Sequence, residues 1–432
     1  MKGEAGECCE RPRGETTNQT KQTYAEIDES AGLLRFHNFP AMNAPIAPSL
    51  EDRLTLLIDD LRHGAAARDS AGGHAAGEKE RIRQAGLLRL SVPAEYGGEG
   101  LPWPDIYRIV RRVAAVDSAL AHLLAFHHLQ VATVLVYGSA DQRRRWLTRT
   151  IEDGGWWGNA MNPRDARLAA TPGEAGYRLD GAKGFCSGTR GSRFMTLSAR
   201  HAASQGVILG VVETGQPGIA VNDDWDPIGQ RQTDSGSVRF DGVLLRREDV
   251  LREHAATPTP AHTLRNCFAQ LVLVNLYTGI AMGALEEARG YLHRDGQPWI
   301  ASPAERASED PYTLRRAGDL HAQISAATAL AERAALAVQA AFARGAQLSA
   351  QERGEAAIAV AEAKVIAHRA GLNASQELFD LVGARGTRAS LGYDRFWRNA
   401  RTHTLHDPLD YKLNALGRWA LNGELPSPEL YT

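Results

Sequence analysis

The chain has 432 residues, 43% hydrophobic and 23% charged, with 49 basic against 51 acidic side chains. That length exceeds the ~250–300 residues at which a single core stops growing, and the charge balance argues against nucleic acid or an anionic membrane as a partner. The spacing of Cys8, Cys9, Cys186 and Cys267 suggests neither zinc nor disulfides. No apolar run approaches the ~20 residues of a membrane span and no apolar signal segment opens the chain, so a soluble cytoplasmic protein is expected.

Residues 1–47 are polar and without period, and read as a disordered tail, a wrongly assigned start or a cloning remnant. From 48 to 157 the pattern is helical. Ser49 is placed to cap a helix through Leu54, Leu57 and Leu61, with Glu51 and Asp52 in its first turn. Asp105 to Val116 is amphipathic, and Ser118 to Tyr137 is apolar enough to be buried.

From 158 to 263 the period shortens. Tyr177 to Gly181 reads as a strand and turn; Arg193–Ala199, Gly206–Val212 and Val238–Val243 read as strands. Short strands with frequent glycine turns predict a small β-barrel or sandwich.

From 264 to 432 long helices return. One runs from about Phe268 to Gly296. Asp310-Pro311 opens a second, which Gly345 closes. Ser349 to Glu352 is a capping box opening a third, ended by Gly383. Asp407-Pro408 opens a fourth that stops near Gly423, with Asp407 as its capping residue. The order is an N-terminal helical domain, a β domain and a C-terminal four-helix bundle, an α+β chain.

Several stretches in this order carry further information: Val92-Pro93-Ala94-Glu95-Tyr96-Gly97-Gly98, Trp156-Trp157-Gly158-Asn159-Ala160, Phe185-Cys186-Ser187-Gly188, Asp223 to Gly229, Arg231 to Ser237, Gly383 to Thr387, and Arg398 to Pro408. Each alone is weak. Together they resemble the acyl-CoA dehydrogenase superfamily over residues 48 to 432, and within it the flavin-dependent monooxygenases of the dibenzothiophene monooxygenase type. The resemblance implies the acyl-CoA dehydrogenase fold, reduced FMN (FMNH2) as cofactor and O2 as co-substrate. It also implies a homotetramer.

The implied chemistry is oxygen transfer from a flavin C4a-hydroperoxide to a small apolar substrate, most naturally an organosulfur compound taken to sulfoxide or sulfone. His406 stands where the dehydrogenases carry a catalytic carboxylate; an imidazole both accepts and donates a proton near neutral pH. The resemblance places Ser187 at flavin N5. It puts Asn159 and His127 with Ser187 and His406 along the reactive face, and Trp225 at the pocket wall or flavin edge. A lone histidine on an apolar helix, as His127 is, is more often a satisfied core residue.

Two departures favour FMN over FAD. Asp380 replaces the glutamine that FAD-using relatives place near the adenosine half, and no Arg-x-x-Phe-Gly follows Tyr291. Arg385 then becomes a candidate phosphate ligand across a subunit interface. A metal site of His403, His406 and Asp407 lacks a fourth ligand and is set aside.

No Gly-x-Gly-x-x-Gly follows a strand, so reduced flavin is expected from a separate NAD(P)H:flavin reductase. The segment Asn162 to Thr171 resembles a mobile lid but is polar. N-hydroxylation or phenol hydroxylation on the same scaffold, an acyl-CoA dehydrogenase, and a degenerate flavin-fold scaffold are the rivals.

Overall fold

The computed structural model describes residues 48–162 and 164–428. The expected tail, 1–47, and the side chain of Ser49 with its expected cap lie outside the described residues. Six helices come first: α1 (Pro48–Arg62), α2 (Ala65–Ala71), α3 (Ala76–Gln84), α4 (Trp103–Ala114), α5 (Ser118–Tyr137) and α6 (Ala140–Glu152). Asp117 caps α5 by accepting from the Leu120 N–H at 3.2 Å. Nearly every side chain of α5 is buried, from Leu120 and Leu124 to Val131 and Val134; each such aliphatic stabilises the fold by about 2 kcal/mol.

Eight strands follow: β1 (Trp157–Ala160), β2 (Leu168–Gly173), β3 (Gly176–Lys183), β4 (Phe194–His201), β5 (Val207–Glu213), β6 (Ile219–Val221), β7 (Val238–Arg246) and β8 (Val250–Arg252). They form one mixed sheet in the order β6-β7-β3-β2-β4-β5-β8, with β1 parallel to β4. Gly181 does not end its strand as the sequence suggested. β3 runs through it to Lys183, and the pairing with β7 shifts register there, as a bulge does.

In β5, Ile208 and Val212 face the barrel-like core with Met195 and Leu197, while Leu209 and Val211 face the helices. Both faces are covered, so β5 reads as an unbroken apolar run rather than an alternating one.

The C-terminal part holds α7 (Pro260–Arg294), α8 (Pro311–Ala343), α9 (Ala350–Val382), α10 (Asp394–Thr404) and α11 (Leu409–Asn422). The caps predicted at Asp310 and at Ser349/Glu352 form. α7 begins about two turns before Phe268, at a Thr259/His262 capping box followed by Pro260. α10 is an additional helix, beyond the four the sequence suggests. Asp407 does not cap α11, which starts at Leu409 after Pro408 and has no side-chain cap. Contrary to the apolar-run estimate, α5 and α7 are each long and apolar enough to cross a bilayer, but both are largely buried inside the fold.

Candidate active site

α10 positions the site. Phe396, Asn399, Ala400 and His403 lie three and four residues apart and are buried, giving it one inward face. Arg398, on the other edge, donates to Asp394 Oδ2 at 2.7 Å, to the Ile228 carbonyl at 2.9 Å and to Asp69 Oδ2 at 2.5 Å. The Gln230 N–H donates to Asn399 Oδ1 at 2.5 Å. The loop before Gln230 is pressed so close that a Cβ on Gly229 would lie 2.2 Å from the Arg398 carbonyl oxygen, which is why glycine stands there.

After α10 the His406 N–H donates to the His403 carbonyl at 3.0 Å, and this turn exposes the His406 side chain. His406 Nδ1 lies 2.9 Å from Asp407 Oδ1. The same carboxylate oxygen accepts from the fully buried Lys364 Nζ of α9 at 2.5 Å. Burial raises the Asp407 carboxyl, but the hydrogen bond with His406 and the Lys364 charge outweigh it and hold it below the usual carboxylate range. Burial lowers Lys364 to about 8 against the pull of Asp407, so the pair is ionised at neutral pH. Asp407 is therefore the partner of His406, not a free base.

His403 stacks on His122 of α5, ring centroids 4.8 Å apart and planes 25° apart, and His122 stacks on Phe126 at 4.0 Å. Burial, then the neighbouring His403 and His406, holds His122 well below the ordinary histidine value. Burial, then His406 and Lys364, pushes His403 down to about 3. Both are neutral imidazoles. Both nitrogens of His122 and Nδ1 of His403 are buried with no hydrogen-bond partner among the described residues.

The second half of the site is built on the sheet. The segment 185–188 pairs with 233–236, through Cys186 N–H to the Gly236 carbonyl at 2.9 Å and Gly188 N–H to the Thr233 carbonyl at 3.0 Å. Ser187, Ser235 and Thr233 form a hydroxyl chain with 2.8 Å links. The Asn159 N–H donates to the Ser187 carbonyl at 3.0 Å, so these two expected site residues are together. A Cβ on Gly188 would lie 3.3 Å from Leu123 Cδ2, which places this segment against the turn of α5 that carries His122.

Phe185 adopts a left-handed φ of 56° and is 66% exposed. Its ring meets that of Trp225 edge-on at 6.0 Å, and Trp225 Nε1 donates to the Gln230 carbonyl at 2.9 Å. An exposed aromatic held in a strained backbone is a common mark of a ligand site.

Two expected residues are placed elsewhere. His127 Nε2 lies 2.9 Å from the Leu88 carbonyl and its Nδ1 accepts from the Trp157 N–H at 3.2 Å. Both nitrogens are spent on backbone, and burial lowers the ring to about 4. His122 and His127 are five residues apart, about 140° around a helix, so only one faces α10. The signal that could have found His122 is its i, i+4 partner Phe126 on that face. Arg385 is exposed beside a depression lined by Tyr291, Leu292, Asp295 and Val382, beyond the end of α9, about 27 Å along the helix from Lys364. Asp380 lies 4.0 Å from Arg316.

The unpartnered histidine nitrogens, the Ser187 hydroxyl, the Asn159 amide and the exposed Phe185 suit a flat ligand with many acceptors and donors, which is what a flavin ring is. Residues 57–153 match the model of the acyl-CoA dehydrogenase N-terminal domain, and 271–411 that of the acyl-CoA dehydrogenase C-terminal domain. The chain is 41% identical to the probable FMNH2-dependent monooxygenase SfnC of Pseudomonas putida, over 90% of this chain and 100% of that one. The structure of methanesulfinate monooxygenase MsuC from Pseudomonas fluorescens superposes with a TM-score of 0.87 at 41% identity, covering 90% of this chain and 100% of that one. FMN-bound TdsC from Paenibacillus sp. A11-2, a dibenzothiophene monooxygenase, superposes with a TM-score of 0.85 at 35% identity, covering 89% and 100%.

Proposed function

Since the chain belongs to the flavin-dependent monooxygenases of the acyl-CoA dehydrogenase superfamily, we propose that it transfers one oxygen atom from O2 to the sulfur of a small organosulfur compound, using reduced FMN. The observation that carries this reading is the imidazole of His406 held by an ion-paired Asp407. A dehydrogenase would need a free carboxylate there; this one is neutralised by Lys364. Bound reduced FMN supplies the two electrons with which O2 is divided between product and water.

The chain's own residues do the rest. Ser187, fixed by Ser235, and Asn159, fixed through the Ser187 carbonyl, hold the flavin edge. His122 and His403 give a neutral polar wall that adds no charge beside a developing oxyanion. His406 takes up and returns a proton at Nε2, its Nδ1 being engaged. Phe185 and Trp225 exclude water and pack the substrate. His127 serves this set indirectly, by fixing the Trp157 N–H where β1 begins.

The reading extends to the assembly. Reduced flavin comes from a separate NAD(P)H:flavin reductase by diffusion. Four copies associate, bringing Arg385 of one to the FMN phosphate of another. The protein works in the cytoplasm, and 48–157, 158–263 and 264–432 are the domains that frame the flavin.

The test is oxygen labelling. With reduced FMN and 18O2, dibenzothiophene or methanesulfinate should gain one 18O per turnover. Absence of labelled product from both, with acyl-CoA bleaching a bound FAD instead, would overturn the reading.

A further inference from the structure

We propose that Lys364 and Asp407 are positioning residues that fix the tautomer of His406. The inference rests on the reading of His406 as the proton-handling residue. Lys364 sits mid-way along α9 with its side chain 0% exposed, and donates to Gln270 of α7 and to Asp407. A buried ion pair is a poor way to stabilise a core; a packed apolar pair of the same volume does as well or better. What the ammonium accomplishes is to keep Asp407 ionised. An ionised carboxylate only accepts, so His406 Nδ1 must carry a hydrogen, and in the neutral ring it is then Nε2 that presents the lone pair. The second-neighbour lysine thus decides which face of the imidazole is basic, as outer partners of working histidines do.

Other polar groups face this pair. His368 and Tyr277 form an edge-on ring contact at 5.9 Å, and Tyr277 Oη donates to the His403 carbonyl at 2.8 Å. Arg401 on α10 and Lys412 on α11 add positive charge nearby. None of them places an acceptor on His406 Nδ1 in the contacts described; Asp407 does.

Both contacts fall on one oxygen, Oδ1, so Asp407→Asn keeps an acceptor for Lys364 and for His406 Nδ1 alike. Lys364→Met with Asp407→Leu removes that acceptor and leaves no buried ion unpaired, so nothing then fixes the hydrogen on Nδ1.

The experiment is 15N NMR of histidine-labelled, flavin-free protein, with His406→Gln used to assign the signal, alongside product yield per FMNH2. The parent should show the Nδ1–H tautomer. Lys364→Met with Asp407→Leu should shift the signal to Nε2–H, with product yield down about tenfold to a hundredfold, FMNH2 affinity within twofold and a melting temperature near the parent's. Asp407→Asn should keep Nδ1–H.

A parent with hydrogen on Nε2, or an unchanged tautomer or full yield in Lys364→Met with Asp407→Leu, would each overturn the proposal. Full yield in His406→Gln would instead remove His406 from the chemistry, and leaves the tautomer result to be judged by NMR alone.

Discussion

His403 stacks face to face on His122 at 4.8 Å, tying the end of α10 to the first turns of α5 through two neutral imidazoles. The contact joins α5 to the candidate site, where both His122 nitrogens are buried without a partner among the described residues. His122→Phe keeps an aromatic stack, with some added volume, but removes both nitrogens. Product yield should fall at least tenfold while the melting temperature stays within a few degrees. Equal loss of fold and yield in circular dichroism and product assays would assign His122 to packing only.

Buried neutral histidines also set the response to acid. His122 and His128 are held well below the usual value, His127 at about 4 and His403 at about 3, each chiefly by burial. In the unfolded chain each titrates near about 6.5. Their folded values are depressed, so the unfolded state binds more protons between the two values. The stability they contribute is whole above about 6.5 and is lost as pH falls toward 4, at up to about 1.4 kcal/mol per pH unit for each ring. Melting temperature should therefore drop steadily from pH 7 to 5, and less steeply in His403→Asn. A flat profile over that window would contradict the neutral assignment.

The legible and illegible parts of the chain divide on physical grounds. α5 is written in its composition, and α8 and α9 in their caps at Asp310 and Ser349, because those signals are local. α10 is not, since Arg398, Asn399 and Arg401 give it a polar look that tertiary contacts resolve: Arg398 reaches back to Asp69 and Ile228, and Asn399 to Gln230. The pairing of Ser187 with Asn159 is a backbone contact between β1 and a loop, which no local signal announces. The choice between His122 and His127 needs to know which side of α5 meets α10. Lys364 and Asp407 are 43 residues apart in the chain, so nothing local marks them as a pair.

Phe185 offers a trade of stability against activity. Its φ of 56° belongs to the region that costs a side-chain-bearing residue about 1–2 kcal/mol, and its ring is largely exposed. Phe185→Gly should relieve that strain and raise unfolding free energy by about 1 kcal/mol. Stripping the ring from Trp225 should at the same time raise KM for an aromatic sulfide several-fold and leave kcat less affected. Chemical denaturation and steady-state kinetics check the two halves, and a destabilised variant would mean that the ring packs more than its exposure suggests.

Lys183 reaches the edge of the polar segment that follows β1. Its ammonium is buried in β3 and donates to the Asn162 carbonyl, to the Asp165 carbonyl at 2.7 Å and to Ser198 Oγ at 3.1 Å. Asp165 in turn accepts from the Gly184 N–H at 2.8 Å and pairs with Arg167. The carbonyls of a folded-down segment need donors, and Lys183 satisfies two of them. Lys183→Met leaves both without this donor and should cost about 2 kcal/mol. If this segment is the lid that the family resemblance implies, loosening it should let water in, and hydrogen peroxide per reduced FMN consumed should rise at the expense of oxygenated product. A peroxide yield equal to the parent's, in a variant destabilised as expected, would show that the segment does not seal the site.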